Sequence, residues 1–203
     1  MSNPQSALND PRSAIRRTRA SFAAILGACL MAVNPASALD LTAEQKSLSV
    51  VEAPPSALTV SAQVNKPTNQ YGVGDFLDIT LRSNKDAYVT IFNVDASGRV
   101  TLILPNEFEK DNRIKANTDV TIPGATGKFR LKVGDPKGPN LIKIVASTRK
   151  AAFGETLAAA FVNGFKTFEA KASDVARDIE IIMADAADVE WASASVPFEV
   201  VSK

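Results

Sequence analysis

The chain has 203 residues, of which 45% are hydrophobic and 22% are charged, so it can form one globular core. Its net charge of +1 gives no global electrostatic reason to bind nucleic acid or anionic lipid. There is no His, and the single Cys is Cys29. A His-based triad, a zinc finger, His-ligated haem and, beyond residue 38, a Cys nucleophile or a disulfide are therefore excluded.

Residues 1–38 have the pattern of a secretory signal peptide. The basic segment Arg16–Arg19 precedes an apolar run of twelve residues, Phe22–Val33, and the small residues Ala36–Ala38 form an A-x-A cleavage site. The apolar run is shorter than the about 20 residues that a membrane-spanning helix needs. We therefore predict export by general secretion, cleavage after Ala38 and a periplasmic product.

A second cleavage pattern competes with the first. Leu26–Cys29 resembles a bacterial lipobox, which would make Cys29 the acylated first residue of an outer-membrane lipoprotein. This cleavage would leave the apolar segment Leu30–Val33 beside the lipid, where polar residues are usual. The soluble product is favoured, and contact with a membrane is expected only if Cys29 is lipidated.

Residues 39–57 mix charged residues, Ser, Ala and Pro54-Pro55 without sustained periodicity, which predicts a tether or an extended leader. Residues 58–203 are predicted to form a single domain. Its first strand, Leu58–Val64, alternates apolar and polar side chains.

The centre of the predicted domain is the stretch Val73–Asn106, which is typical of three consecutive strands. Phe76–Leu81 alternates as a half-buried strand does. Tyr88–Val94 is apolar on both faces, which predicts a strand covered on both sides. Val100–Leu104 follows a turn at Asp95–Gly98 and stops at a proline.

Further strands are predicted at Val120–Ile122, Phe129–Val133, Leu141–Ser147 and Trp191–Val201. Before the last of them, four apolar residues share one helical face and predict a helical insertion at about 155–177, and these residues are Leu157, Phe161, Phe165 and Phe168. Asp178–Met183 fits a strand or a helix, and its Ile content favours a strand. The predicted fold class is mainly β, an immunoglobulin-like antiparallel β-sandwich with a short α-helical insertion before the last strands.

Two patterns suggest ion binding, and each has a simpler explanation. Asn93, Asp95, Ser97 and Gly98 fit a calcium loop in part, but its twelfth position is Leu104 instead of a bidentate Glu, so a plain hairpin turn is favoured. The basic strand face around Arg130 and Lys132 fits a Lys-protected edge better than a site for an anionic envelope polymer. We predict neither a metal nor a cofactor.

An enzyme without His would need a Ser–Lys pair or paired carboxylates. Ser147 and Glu155 are available, but no catalytic motif flanks either residue. We therefore predict a non-catalytic protein, with a small serine-dependent hydrolase as the alternative.

Recognition by a rigid sandwich usually takes place on its loops. We therefore place a candidate partner-binding surface on the hairpin tip and on the loop Pro105–Arg113. The chosen residues are Ala96, Ser97, Gly98, Asn106, Glu107, Phe108 and Arg113. The expected partner is another protein of the bacterial cell envelope.

Several short motifs follow one another along residues 58–150. They are Gly74-Asp75, Ala87-Tyr88-Val89, Asp95-Ala96-Ser97-Gly98, Leu104-Pro105-Asn106, Ile122-Pro123 and Ala146-Ser147. In this order they resemble the bacterial domain-of-unknown-function family 4384. The resemblance implies an exported, mainly β domain with an accessory or binding role, and it transfers no functional residues.

The cleavage prediction is tested by the intact mass of the protein recovered from its native envelope. We expect the unmodified mass of Leu39–Lys203, because the A-x-A site follows an apolar run of signal length. A mass that begins at an acylated Cys29 would contradict this prediction and make the protein a lipoprotein.

Overall fold

The computed structural model describes residues 39–124, 128–186 and 188–202. The predicted signal peptide, both cleavage sites and Cys29 lie outside these residues. Within the described ranges, neither helix has the length and apolar character needed to cross a bilayer.

The described residues form two helices and thirteen strands. In chain order these are α1 (Ala43–Ser49), β1 (Val60–Val64), β2 (Gln70–Gly72), β3 (Phe76–Leu77), β4 (Ile79–Ser83), β5 (Ala87–Val94), β6 (Val100–Leu104), β7 (Arg113–Ile114), β8 (Val120–Ile122), β9 (Leu131–Lys132), β10 (Gly138–Ser147), β11 (Ala159–Val162), β12 (Phe165–Phe168), α2 (Ala172–Ala184) and β13 (Trp191–Val201).

One large sheet organises the fold. Its strand order is β11-β12-β6-β5-β10-β13-β2, and β7 pairs with the start of β5. Neighbouring strands are antiparallel, except that β2 joins β13 in parallel at Glu199–Val201. A three-stranded sheet, β1-β4-β8, and the β3-β9 ribbon complete the strand pairing. The predicted mainly β, sandwich-like class with a helix before the last strand is confirmed.

The large sheet has an apolar core on each face. Towards the two smaller sheets, Ile91, Ile144 and Phe198 pack with residues such as Ile79 and Leu81 of β4. Towards the helices, the large sheet contributes Phe92, Val94, Leu141, Val145 and Trp191, and these pack with Leu48, Val175 and Ile179. The prediction that Tyr88–Val94 forms a strand covered on both sides is therefore confirmed for β5, and β10 also contributes apolar side chains to both cores.

The prediction of a tether at residues 39–57 is wrong, because this segment contains α1 and packs against the large sheet. Thr42 and Gln45 form a capping box at the start of α1. The Gln45 side chain is fully buried, and its Nε2 donates to the carbonyls of Asp95 at 3.1 Å and Pro139 at 2.6 Å. Leu48 and Val51 are buried beside it. These contacts attach α1 to the β5–β6 turn and to β10.

The C-terminal end of α1 is held by Lys143, a central residue of β10 that is only 1% exposed. Its Nζ donates to the carbonyl oxygens of Ser49 at 3.2 Å and Val51 at 2.6 Å. It also donates to the hydroxyl oxygens of Ser193 and Ser195 at 3.2 and 3.3 Å. An ammonium group at the last carbonyls of a helix is favourable because the helix dipole is negative there.

The helical insertion is displaced from its predicted position. Residues predicted to form a helix at about 155–177 include the β11–β12 hairpin, whose turn is Asn163-Gly164. The residues 178–183, for which a strand was favoured, lie within α2. The spacing of the phenylalanines misled the prediction, because positions four apart also occur across a short hairpin. Asn-Gly between apolar runs is itself a strong hairpin signal.

Burial of Lys143 predicts a pH dependence of stability. Desolvation lowers the pKa of Lys143 from 10.5 to about 8, while nearby Glu52 opposes this shift. Between these pKa values the unfolded chain binds more protons than the folded one, so stability rises with pH. Raising the pH from about 7.5 to about 9.5 is expected to increase the free energy of unfolding by about 2 kcal/mol.

Urea denaturation of the wild type and of Lys143→Met measures this increment, which should be absent from the variant. Lys85→Met is the matched control, since Lys85 forms a surface ion pair with Glu190 and its loss should leave the increment intact. Staying below pH 10 avoids Tyr71, whose pKa burial raises. Equal increments in the wild type and Lys143→Met would contradict the assignment.

Candidate partner-binding site

The hairpin tip Ala96–Gly98 and the loop Pro105–Arg113 lie at opposite ends of β6. The five residues of β6 separate them by roughly 17 Å. The two predicted parts therefore do not form one surface.

The hairpin tip is partly covered by α1. A Cβ added to Gly98 would lie 2.9 Å from Cγ of Glu44, and Gly98 has a φ of +85°. Ala96 and Gly98 are half-buried, and Ser97 is exposed. The tip therefore serves as a docking point for α1.

Asp95 explains the residues that resemble a calcium loop. Its Oδ1 accepts hydrogen bonds from the backbone N–H groups of Ser97 at 2.8 Å and Arg99 at 3.1 Å. This is the local turn geometry that Asp favours. Across the described residues there is no cluster of three or more Cys, Asp or Glu residues that could hold a metal.

The loop after β6 is organised by Asn106, which is buried. Its Nδ2 donates to the carbonyl of Ile103 at 2.7 Å, and its Oδ1 accepts from the N–H groups of Phe108 and Glu109, each at 2.8 Å. Asn106 thus has a structural role that fixes the loop.

Glu107 and Phe108 connect this loop to the β11–β12 hairpin. The N–H of Glu107 donates to the carbonyl of Gly164 at 3.1 Å. The Phe108 ring lies over Gly164 and contacts the rings of Phe129 and Phe165 at centroid distances of 6.0 and 6.1 Å. Phe108 remains 42% exposed. The loop and the hairpin turn therefore form one continuous surface.

Arg113 lies apart from this surface. It is in β7, opposite Tyr88, and its guanidinium pairs with the Asp86 carboxylate at 3.1 Å. It is absent from the lining of the cleft described below.

The β11–β12 hairpin forms one edge of the large sheet. Asn163 and Gly164 have φ values of 51° and 83°, as a type I′ turn requires. Phe161 is 64% exposed and Val162 is 52% exposed. All four residues of β11 are uncharged, and it contains no proline, so it lacks the usual protection of an edge strand.

The hairpin register determines which backbone groups of β11 are free. Val162 opposes Phe165 across the two-residue turn, so these residues form the first hydrogen-bonded pair. Hydrogen-bonded pairs alternate, and the N–H of Glu169 donates to the carbonyl of Ala158 in agreement with that alternation. The N–H and C=O groups of Ala159 and Phe161 consequently point away from β12, towards the open edge.

A cleft of about 480 Å³ lies beside the β11 edge on the helix side of the large sheet. Phe161, Phe153 and Leu102 supply apolar walls, and Asn106 and Glu107 connect it to the predicted loop. Lys110, Lys150 and Lys166 also line it, against Glu107 and Glu155. The Lys166 ammonium donates to the carbonyl of Gly154 at 2.6 Å.

The β11 strand was not predicted as a candidate surface. Its Phe161 was predicted to share a helical face with Leu157, Phe165 and Phe168, and of these four residues only Phe168 is buried. The Asn163-Gly164 dipeptide was the available signal.

The Ser–Lys geometry needed by a hydrolase occurs once among the described hydrogen bonds, around Lys143. The Ser193 hydroxyl donates to the Val51 carbonyl at 2.9 Å, so its proton is directed away from Lys143. Ser147, the candidate from the sequence, donates to the carbonyl of Arg149 at 2.7 Å. These hydrogen bonds give Lys143, Ser193 and Ser147 structural roles.

The turn geometry predicts a specific cost for Gly164→Ala. An alanine would be strained at this positive φ, and its Cβ would overlap the Phe108 ring and displace it. We expect the free energy of unfolding to fall by about 2 kcal/mol. Gly134→Ala is the control, since no described atom outside its two chain neighbours lies within 4 Å of its added Cβ, and it should change stability by less than about 0.5 kcal/mol. If Gly164→Ala and Gly134→Ala changed stability equally in thermal unfolding, the assigned turn would be contradicted.

Comparison with known proteins identifies one family. No curated protein and no solved structure matches the chain. Residues 70–150 match the family model described as "Domain of unknown function (DUF4384)". This range runs from β2 to the residues just after β10, so it contains the centre of the large sheet. The resemblance read from the sequence motifs is thus confirmed over residues 70–150.

Proposed function

We propose that this chain is an exported, non-catalytic binding or assembly module of the bacterial cell envelope, and that it docks a protein partner. The observation that carries the proposal is the exposed edge of β11. An extended segment of the partner would pair with this strand and continue the large sheet. Strand addition of this kind uses main-chain hydrogen bonds for affinity and side-chain pockets for specificity.

The backbone of β11 supports this mode of binding. Two residues, Ala159 and Phe161, have outward N–H and C=O groups, by the register of the hairpin. The hairpin that presents them is anchored at its turn by the Glu107–Gly164 hydrogen bond. A partner strand would therefore meet a preformed edge, which reduces the entropy lost on binding.

The side chains on both faces of β11 support it as well. Phe161 faces the cleft on the helix side, and Val162 lies on the opposite face of the strand. Side chains on one face of the partner's strand would consequently contact Phe161 and the cleft, and those on its other face would contact Val162. Burial of these two exposed side chains supplies apolar contact area.

The envelope location rests on the sequence pattern of residues 1–38. A basic segment, a short apolar run and an A-x-A site support export of the mature protein. Acylation at Cys29 would change how the module is held in the envelope and leave the β11 edge unchanged.

The docking proposal is tested by photo-crosslinking in the native envelope, with the photoreactive residue at position 161. We expect one reproducible protein to be crosslinked from position 161 and not from position 181. Ile181 on α2 is a matched control, since it is 54% exposed and apolar but lies away from β11. Phe161→Glu should reduce capture of that protein at least tenfold, and Ile181→Glu should leave it unchanged.

Ala159→Pro separates backbone pairing from side-chain contact. It removes an outward N–H without removing a hydrogen bond to β12, and proline is tolerated on edge strands. Capture should fall while the thermal unfolding temperature stays close to that of the wild type. Absence of a crosslink at 161, or capture unaffected by both Phe161→Glu and Ala159→Pro, would refute docking at β11.

A further inference from the structure

A row of polar side chains crosses the large sheet on the face that packs against the smaller sheets. Thr167 of β12 is opposite Thr101 of β6, and Thr101 is opposite Asn93 of β5. The two threonine hydroxyls are 3.4 Å apart. The residue opposite Asn93 on the neighbouring strand β10 is Ile142, which is apolar and buried, so the polar row ends at Asn93. All three polar residues are half-buried, so they remain accessible from the space beside the sheet.

A second group of polar side chains lies next to this row, towards the β5–β6 turn. Asp95 and Arg99 form an ion pair with a separation of 3.8 Å. Asn140, on β10, is buried and donates to the carbonyl of Gly138 at 3.2 Å. Hydroxyl, carboxamide and charged groups are thereby gathered at one end of the sheet face.

These groups line a cavity of about 390 Å³ between the large sheet and the segment Arg130–Asp135. Phe165, Phe198, Ile103 and Ile142 provide its main apolar walls. The volume falls within the range of small-molecule sites, which combine apolar walls with a few placed polar groups.

Asn93 has an unmet requirement for a hydrogen bond in this cavity. Its Oδ1 is buried and has no hydrogen-bond partner among the residues that the structure describes. A buried acceptor without a donor is costly, and native structures contain few of them. Less than 1 Å² of this oxygen is exposed, so the Asn93 carboxamide, which lines the cavity, has to rotate for the oxygen to accept from a bound hydroxyl group.

The rim of the cavity carries two cations that lack acidic partners. Among the described residues, Arg130 and Lys132 form no ion pair, although the Arg130 guanidinium lies 4.4 Å from the centroid of the Phe76 ring. Asp135 is the one acidic rim residue on the same segment. The segment therefore presents a net positive charge to the cavity mouth.

We propose that this cavity binds an anionic monosaccharide unit, whose hydroxyl groups bond to Asn93, Thr101 and Thr167 and whose carboxylate or phosphate lies at Arg130 and Lys132. Sugar hydroxyls both donate and accept, as the carboxamide and the threonine hydroxyls do. The apolar C–H faces of the ring fit against Phe165 and Phe198. A peptide strand fits less well, because interior strands use their backbone groups in the sheet ladder.

The test is titration of the ¹⁵N-labelled chain with D-glucuronate, D-glucose 6-phosphate and D-glucose, followed by amide chemical shifts. At ~10 mM sugar, which is tenfold above a millimolar Kd, we expect changes in amide chemical shift that are confined to the cavity strands. At least one anionic sugar should bind tenfold or more tightly than glucose, and which one binds identifies the anionic group. Equal affinity for all three, or no shift with any, would overturn the proposal.

Matched variants tie the shifts to the cavity. Asn93→Leu and Thr101→Val should each weaken binding about tenfold, whereas Thr121→Val should have no effect. Thr121 is a suitable control because its hydroxyl forms a similar pair with Thr80 at 3.1 Å on the three-stranded sheet.

Lys132→Met changes only the rim and should weaken binding of the anionic sugar alone, with Lys128→Met as its control. Unchanged affinity in Asn93→Leu and Lys132→Met would refute the site, and β11 docking is unaffected by either result.

Discussion

The large sheet is apolar on both faces, and covering both faces is the constraint on which the rest of the structure depends. The two smaller sheets cover one face, and α1 with α2 covers the other. A helix as short as α1 has little stability of its own, so it needs tertiary contacts. Gln45 attaches its first turn to the sheet, and the buried ammonium of Lys143 donates to the carbonyls of Ser49, its last residue, and Val51. The Glu44 carboxylate in turn accepts from the N–H of Ala172 at 3.1 Å, which links α1 to the start of α2.

The covering of the sheet ends at β11, and this limit gives the protein its candidate binding surface. At the opposite edge, β2 is only three residues long and its Tyr71 is fully buried. β11 instead leaves apolar side chains and backbone groups accessible, without a charge or a proline to discourage pairing. A module whose core is otherwise complete can use such an edge for docking without a change in its own fold.

Local periodicity was sufficient to predict the central strands, since alternation and two-sided apolar runs report burial directly. It could not predict that residues 39–57 belong to the domain, because their contacts are long-range: Gln45 bonds to Pro139, 94 residues away. Nor could periodicity predict that Thr167, Thr101 and Asn93 lie in one row, which depends on the pairing register of three strands.

The candidate surface was predicted in part. The loop with Glu107 and Phe108 adjoins the β11–β12 hairpin, whereas the tip Ala96–Gly98 lies at the other end of β6. That separation follows from strand length and register.

Hydrogen exchange of individual amides in β11, measured with and without the partner that crosslinking identifies, tests strand addition most directly. The Ala159 and Phe161 N–H groups point outward, so they should exchange rapidly in the free protein and become strongly protected in the complex. The Ala160 and Val162 N–H groups already face β12 and should change much less. An alternating gain of protection at 159 and 161 is the result expected of a paired strand. Protection that is uniform along β11, or absent from it, would contradict strand addition at this edge.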